Sequence, residues 1–145
     1  MREEEKQLLL KDLCGRLPYN GLMVRWNVED FNVLGIGCGR ITLVKPFMSV
    51  VSGSPLVEEV RPYLRPLSSL TNDEKLILQC LPPEDKVGRE LYTELLFDFY
   101  NSRHLDYRDL IKKGLALSAP EGMYEVITDT STESTNHCGS VFMDL

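Results

Sequence analysis

The densest group of side chains capable of chemistry lies between residues 97 and 109. It combines aromatic, basic, acidic and imidazole groups in the run FDFYNSRHLDYRD. His104 and Asp106 are residue types that carry out acid–base catalysis, and Arg108 is a type that binds anions. Residues two apart do not face each other on a helix, so His104 and Asp106 meet only if a loop separates two helices here.

The same segment has the pattern of a corner between two helices. Asn101 is suited to end one helix and Asp106 to cap the next, while aromatic side chains pack the corner and Leu105 anchors it to the core. Tyrosine and arginine are enriched at binding hot spots. We therefore predict a partner-binding surface at this corner, formed by Tyr100, His104, Tyr107 and Arg108.

The glycine-rich stretch GIGCG at 35–39 does not fit a phosphate-binding loop. The third glycine of the dinucleotide fingerprint is missing, and no Lys-Ser/Thr pair follows. Residues 40–44 have the pattern of a strand rather than of a helix whose N-terminus faces a phosphate. We predict a tight β-hairpin with a glycine bulge.

Groups for nucleophilic catalysis and metal binding are sparse. The two histidines are His104 and His137, and the sequence holds no C-x-x-C pair, H-x-x-x-H pair or GxSxG motif. We expect no metal, no cofactor and four free cysteines, at least two of them in the core. An enzyme site around His104, with a cysteine or carboxylate brought to it by folding, stays open as an alternative.

The net charge of −6 is concentrated at the C-terminal end. No Lys or Arg follows Lys113, whereas five acidic residues do, which leaves 16 basic and 17 acidic residues in 1–118. Proteins that bind nucleic acid through its phosphates show a basic excess. We therefore expect no nucleic-acid partner, unless a basic patch forms from Arg103, Arg108, Lys112 and Lys113.

The first half of the chain predicts one helix followed by a sheet. Apolar residues at helical spacing predict a helix over about 3–16, which Pro18 and the Asn20-Gly21 pair end. From about 22 to 51, alternating apolar residues and glycines predict three or four short antiparallel strands. Residues 56–60 are predicted to add an edge strand.

The second half predicts helices. Thr71 and Glu74 have the spacing of a capping box and open a helix that runs to about residue 81. A longer helix is predicted over about 85–101, and a third from Asp106 to Lys113, with Gly114 as its left-handed end. Residues 115–117 are predicted to form a last strand.

We predict a single α+β domain over 1–124 and a mobile, acidic, Ser/Thr-rich tail over 125–145. In the domain, the N-terminal helix and the C-terminal helices pack on a small, strongly bent, barrel-like antiparallel sheet. Because the first residues are acidic and the apolar run at 8–10 is short, we expect no signal peptide, and no apolar run reaches the length of a membrane span. The predicted location is the cytoplasm, with no membrane partner.

Three blocks also resemble a family of short uncharacterised proteins from gut bacteria and their phages or mobile elements. The blocks are LLLKDLCGRLPY at 8–19, VRPYLRPLSSLT at 60–71, and the segment 98–124 that ends in GLALSAPEGMY. The resemblance covers most of 8–124, is weakest over 22–51, and does not extend into the tail. It implies an intracellular accessory protein of bacterial or prophage origin and transfers no catalytic or binding residue.

The sequence has the apolar pattern of a complete core and no group of residues that would converge into a catalytic site. This pattern favours a non-enzymatic accessory protein that binds another protein. The small enzyme around His104 is the alternative, and nucleic-acid binding is the third. A deep pocket that contains His104 beside a carboxylate or thiol would favour the enzyme.

Overall fold

The computed structural model describes residues 1–19, 21–46, 48 and 50–124. Over these residues the chain forms four α-helices and a six-stranded sheet, which confirms the α+β class. The helices are α1 (Glu3–Arg16), α2 (Asn72–Gln79), α3 (Glu84–Val87) and α4 (Arg89–Ser102). The strands are β1 (Met23–Trp26), β2 (Glu29–Gly37), β3 (Arg40–Val44), β4 (Val51–Gly53), β5 (Arg61–Leu64) and β6 (Leu117–Ser118). The predicted acidic tail lies outside the described residues.

The sheet has the order β4-β3-β2-β1-β5-β6 and is open. Strands β1 to β5 pair antiparallel, but β6 pairs parallel to β5. The expected barrel-like closure and wholly antiparallel pairing are therefore wrong. The physical reason is the long helical crossover between β5 and β6, which returns the chain in the same direction and leaves β4 and β6 at opposite edges.

The N-terminal helix occupies the predicted bounds and covers one face of the sheet. Leu9 and Leu13 are fully buried against core residues of the strands. Asp12 and Arg16 lie on the same buried side of α1, which the sequence pattern did not predict. The shared core is formed by residues of α1, of the strands and the loops that flank them, and of the segment after α4: Leu9, Leu13, Leu22, Val24, Phe31, Ile41, Leu43, Val57, Val60, Leu64, Leu110, Leu115 and Ala116.

The glycine-rich stretch is a hairpin, as predicted. Cys38 and Gly39 both have positive φ, 53° and 74°, the combination that a two-residue turn matched to strand twist requires. A register shift between Val33 and Gly35 marks a bulge. The strand predicted over 56–60 is wrong: Val57–Glu59 is a single 3₁₀ turn, and the strand β5 follows it inside the sheet.

Two of the three predicted C-terminal helices differ in the structure. The Thr71 cap of α2 is confirmed, since its hydroxyl accepts from the Glu74 amide at 3.1 Å. The long helix is divided into α3 and α4 because Gly88 adopts φ +90°. The third helix is wrong: residues 106–113 form turns, and Asp109 at φ +62° is incompatible with a continuous helix.

The cysteine expectation is partly wrong. Cys14 and Cys38 are free thiols, but both are exposed rather than in the core. Cys80 is disulfide-bonded, so the expectation of four free cysteines fails there. Among the described residues, no helix combines the length and apolar composition needed to cross a bilayer.

Candidate functional site

The predicted corner lies where α4 ends and the chain turns back towards α1. The Leu105 amide donates to the Tyr100 carbonyl at 2.9 Å, and the His104 amide donates to the Asn101 carbonyl at 3.1 Å. His104 adopts φ +54° between them. These bonds form the Schellman motif that ends many helices, with histidine at the position usually taken by glycine. Leu105, fully buried, then anchors the corner as predicted.

Three aromatic rings stack at this corner. The Tyr107 ring lies 5.4 Å from that of Phe97 and 5.0 Å from that of Tyr100, at interplanar angles of 27° and 16°. Phe97 is 41% exposed, and both tyrosines are half-buried. The Tyr107 hydroxyl donates to Asn101 Oδ1 at 3.0 Å. The stack is thus held in place while part of it faces solvent.

Arg108 completes the surface. Its guanidinium carbon lies 4.5 Å from the centre of the Tyr107 ring, which is a cation–π distance. Its Nη1 donates to Asp12 Oδ1 at 2.7 Å. We call Phe97, Tyr100, Tyr107 and Arg108 the aromatic corner.

A buried ion network connects α1 to the aromatic corner. Asp12 accepts from Arg16 Nε at 2.8 Å and from Arg16 Nη2 at 3.0 Å. Arg16 Nη2 also donates to the Leu105 carbonyl at 2.6 Å. Both side chains are fully buried. Sequence reasoning missed this pair, although the i,i+4 spacing of an aspartate and an arginine was a usable signal.

A further contact joins the end of α1 to α4. The Tyr19 hydroxyl donates to the Asp98 carboxylate. Burial and this hydrogen bond raise the pKa of Tyr19 to about 12. The loop after α1 is thereby fixed beside the helix that carries Phe97 and Tyr100.

His104 is not brought to the aromatic corner. Its side chain is only 4% exposed, and its ring packs on that of Tyr124 at a centroid distance of 4.6 Å. The carbonyl of His104 accepts from the Arg65 amide at 2.8 Å. Of the four predicted site residues, the structure therefore groups Tyr100, Tyr107 and Arg108, and adds Phe97, which the prediction had not named.

A cavity of about 580 Å³ lies beside the sheet, near β6. Its walls come from two parts of the chain, and His104 is not among the lining residues: Arg65, Pro66, Ser69, Ser118, Ala119, Pro120, Glu121, Gly122 and Tyr124. In the described part of the chain, no three His, Cys, Asp or Glu side chains are grouped as metal ligands would be.

Comparison with known proteins adds no relative, because no family model, curated protein or solved structure matches this chain.

Proposed function

We propose that this protein is a non-enzymatic accessory protein that binds another protein through the aromatic corner. The observation that carries the proposal is the partly exposed stack of three aromatic rings with an arginine against one face. Aromatic residues and arginine are the side chains that supply most of the binding energy in protein interfaces.

The fixed geometry of the corner supports the same proposal. Tyr107 is held by Asn101, and Arg108 by Asp12, before any partner arrives. A side chain that is already ordered loses little conformational entropy on binding, whereas a mobile one costs about 0.5–1.5 kcal/mol. The corner is therefore better prepared to bind than a set of free surface side chains.

The enzyme alternative has less support from the geometry. His104 lies beneath Tyr124 rather than in the cavity wall. Its backbone has a positive φ, and both its amide and its carbonyl form hydrogen bonds, so His104 has a structural role at the end of α4. A general base must reach the proton that it abstracts, and this ring is almost completely covered.

Nucleic-acid binding also has less support. Two of the four cations in the patch considered for it are engaged by buried carboxylates. Arg103 lies 3.5 Å from Glu74, and Arg108 lies 2.7 Å from Asp12. Binding to a nucleic-acid backbone engages several exposed cations at once, and these two face buried carboxylates instead.

Affinity capture from the native host with matched variants tests the proposal. The Phe97→Ala variant should lose a partner that the wild type captures, because truncating a hot-spot side chain costs about 2 kcal/mol or more. Leu91→Ala is the matched control, since Leu91 lies on another face of α4 and is similarly exposed, at 45%. Equal capture of the same protein by wild type and by folded Phe97→Ala would refute the proposal.

We also propose a cytoplasmic location, as the resemblance to bacterial and prophage accessory proteins implies. The disulfide of Cys80 counts against this location, because disulfides are rare in reducing compartments, so the state of Cys80 in the cell decides the proposal. Rapid alkylation of Cys80 on lysis would support the cytoplasm, and a Cys80 protected from alkylation would contradict it.

A further inference from the structure

The cavity beside β6 has walls that are fixed to the sheet. The Ala119 amide donates to the Leu64 carbonyl at 2.8 Å. The Tyr124 hydroxyl donates to the Tyr63 carbonyl at 2.8 Å and accepts from the Met23 amide at 2.9 Å. The Tyr124 phenol therefore bridges β1 and β5, and burial raises its pKa well above the ordinary value. A cavity of about 580 Å³ with fixed walls has the size of a small-molecule site.

One buried cation lines this cavity. The Arg65 side chain is 7% exposed. Its Nη1 donates to Glu74 Oε2 at 2.8 Å, and its Nη2 donates to Glu74 Oε1 at 2.6 Å and to the Ser69 carbonyl at 3.1 Å. A guanidinium carries five N–H groups, and these three bonds leave two of them for a further acceptor.

The charge around Arg65 is unbalanced. Arg103 Nε also lies 3.5 Å from Glu74 Oε2, so two guanidinium groups share this one buried carboxylate. Burial alone would raise the pKa of Glu74, but the hydrogen bonds from Arg65 and from the Thr71 amide lower it further than burial raises it. Glu74 is therefore ionised at neutral pH, and the three side chains together carry one excess positive charge.

The acidic residue in the lining does not cancel this charge. Glu121 is exposed, so water and salt screen its carboxylate. Arg65 is buried, and a charge in a medium of lower dielectric acts more strongly at the same distance. We therefore expect the excess positive charge of Arg65, Arg103 and Glu74 to outweigh the exposed Glu121 carboxylate inside the cavity. The remaining lining offers apolar surface from Pro66, Pro120 and the Tyr124 ring.

We propose that this cavity binds a small organic anion, with its carboxylate or phosphate group on Arg65 and an apolar body against the two prolines and Tyr124. The remaining Nε–H can donate one charge-assisted hydrogen bond to an oxygen of either head group. This site is separate from the aromatic corner and does not depend on the function proposed for it.

Nuclear magnetic resonance titration of the full-length protein tests the proposal with four small molecules that carry the same hexyl chain. Hexanoate and hexyl phosphate present the two anionic head groups, hexanol is the neutral control and hexylammonium the cationic one. We expect saturable shifts of the Arg65 Nε–H and of the amides at 118–122 with either anion, and affinity about tenfold weaker for hexanol, which is one lost charged contact. Equal affinity for hexanol, or no saturation by about 20 mM anion, would overturn the proposal.

Variants that leave the buried ion cluster intact sharpen the test. Ala119→Phe fills the cavity and should abolish the shifts, while Glu121→Gln removes the rim charge and should tighten anion binding about two- to threefold. Glu84→Gln is the control, because Glu84 is an exposed acid outside the lining. Anion affinity that is unchanged in folded Ala119→Phe would place any binding elsewhere and refute the site.

Discussion

Replacement of Asp12 by Asn probes the buried ion network that joins α1 to the aromatic corner. Asp12 is fully buried, and its two oxygens accept from Arg16 at 2.8 and 3.0 Å and from Arg108 at 2.7 Å. Asparagine keeps the shape but offers one acceptor oxygen and no charge. Two guanidinium groups then lose their counter-charge. Arg16 Nη1 already has no hydrogen-bond partner among the described residues.

The expected cost follows from the burial of each partner. Removing one partner of a buried ion pair costs about 3–5 kcal/mol. The Arg108 side chain is 18% exposed, so water compensates part of its loss, and the asparagine oxygen retains one bond. We therefore expect a loss of about 3 kcal/mol in the free energy of unfolding. For a chain of this length that lowers Tm by about 10 °C.

Urea denaturation followed by far-ultraviolet circular dichroism measures this loss. Glu29→Gln is the matched control, because it breaks an exposed ion pair with Lys45, which lies 3.1 Å away. Such pairs contribute about 0–1 kcal/mol. A loss below about 1 kcal/mol for Asp12→Asn, equal to the control, would refute the view that this network holds the corner in place.

Three further predictions concern other parts of the fold. Gly53→Ala should lower the free energy of unfolding by about 1–3 kcal/mol through overpacking, because an added Cβ would lie 2.6 Å from the Trp26 ring. Gly35→Ala is the control, since a Cβ added there meets nothing within 4 Å, and equal melting curves for the two variants would contradict the prediction. The difference titration between wild type and Tyr19→Phe should show one phenol ionising near pH 12, and ionisation near pH 10 would contradict this. Because an unfolded tyrosine has a pKa of about 10, the contribution of Tyr19 to stability is present below pH 10 and is lost as the pH rises through about 12. In reducing buffer, where Cys80 is a thiol in both proteins, deletion of 125–145 should leave Tm within about 2 °C, and a larger fall would show that this tail stabilises the domain.

The parts of the fold that sequence predicted are those set by neighbours a few residues apart. The helix α1, the Thr71 cap and the Cys38-Gly39 turn each depend on side-chain spacing or local backbone preference. Local preference failed where distant contacts decide. Pro62 has the signature of a strand end, yet it lies within β5 and pairs with Val24, because Pro62 and Tyr63 are buried in the sheet.

For the candidate site too, the sequence predicted the types of side chain but not the contacts between distant residues. Composition alone indicated Tyr100, Tyr107 and Arg108 as a binding corner, since the types of side chain are visible in the sequence. Their support was not visible, because Asp12 lies 96 residues from Arg108 in the chain. The cavity was missed for the same reason: its walls come from 65–69 and 118–124, which are distant in sequence and are brought together by the pairing of β5 with β6 and by the contacts of Ala119 and Tyr124 with the sheet.

The parallel pairing of β5 with β6 has a consequence for the order of folding. The hairpins of β1 to β4 close over a few residues each, whereas the contact of Tyr63 with Leu117 closes a loop of about fifty. Contacts distant in sequence form slowly, so we expect β6 to join last. A strand of two residues held at one edge also opens at low free energy. Amide hydrogens at 117–119 should therefore exchange well before those of β1 to β3, and the cavity can admit a molecule while the core stays folded.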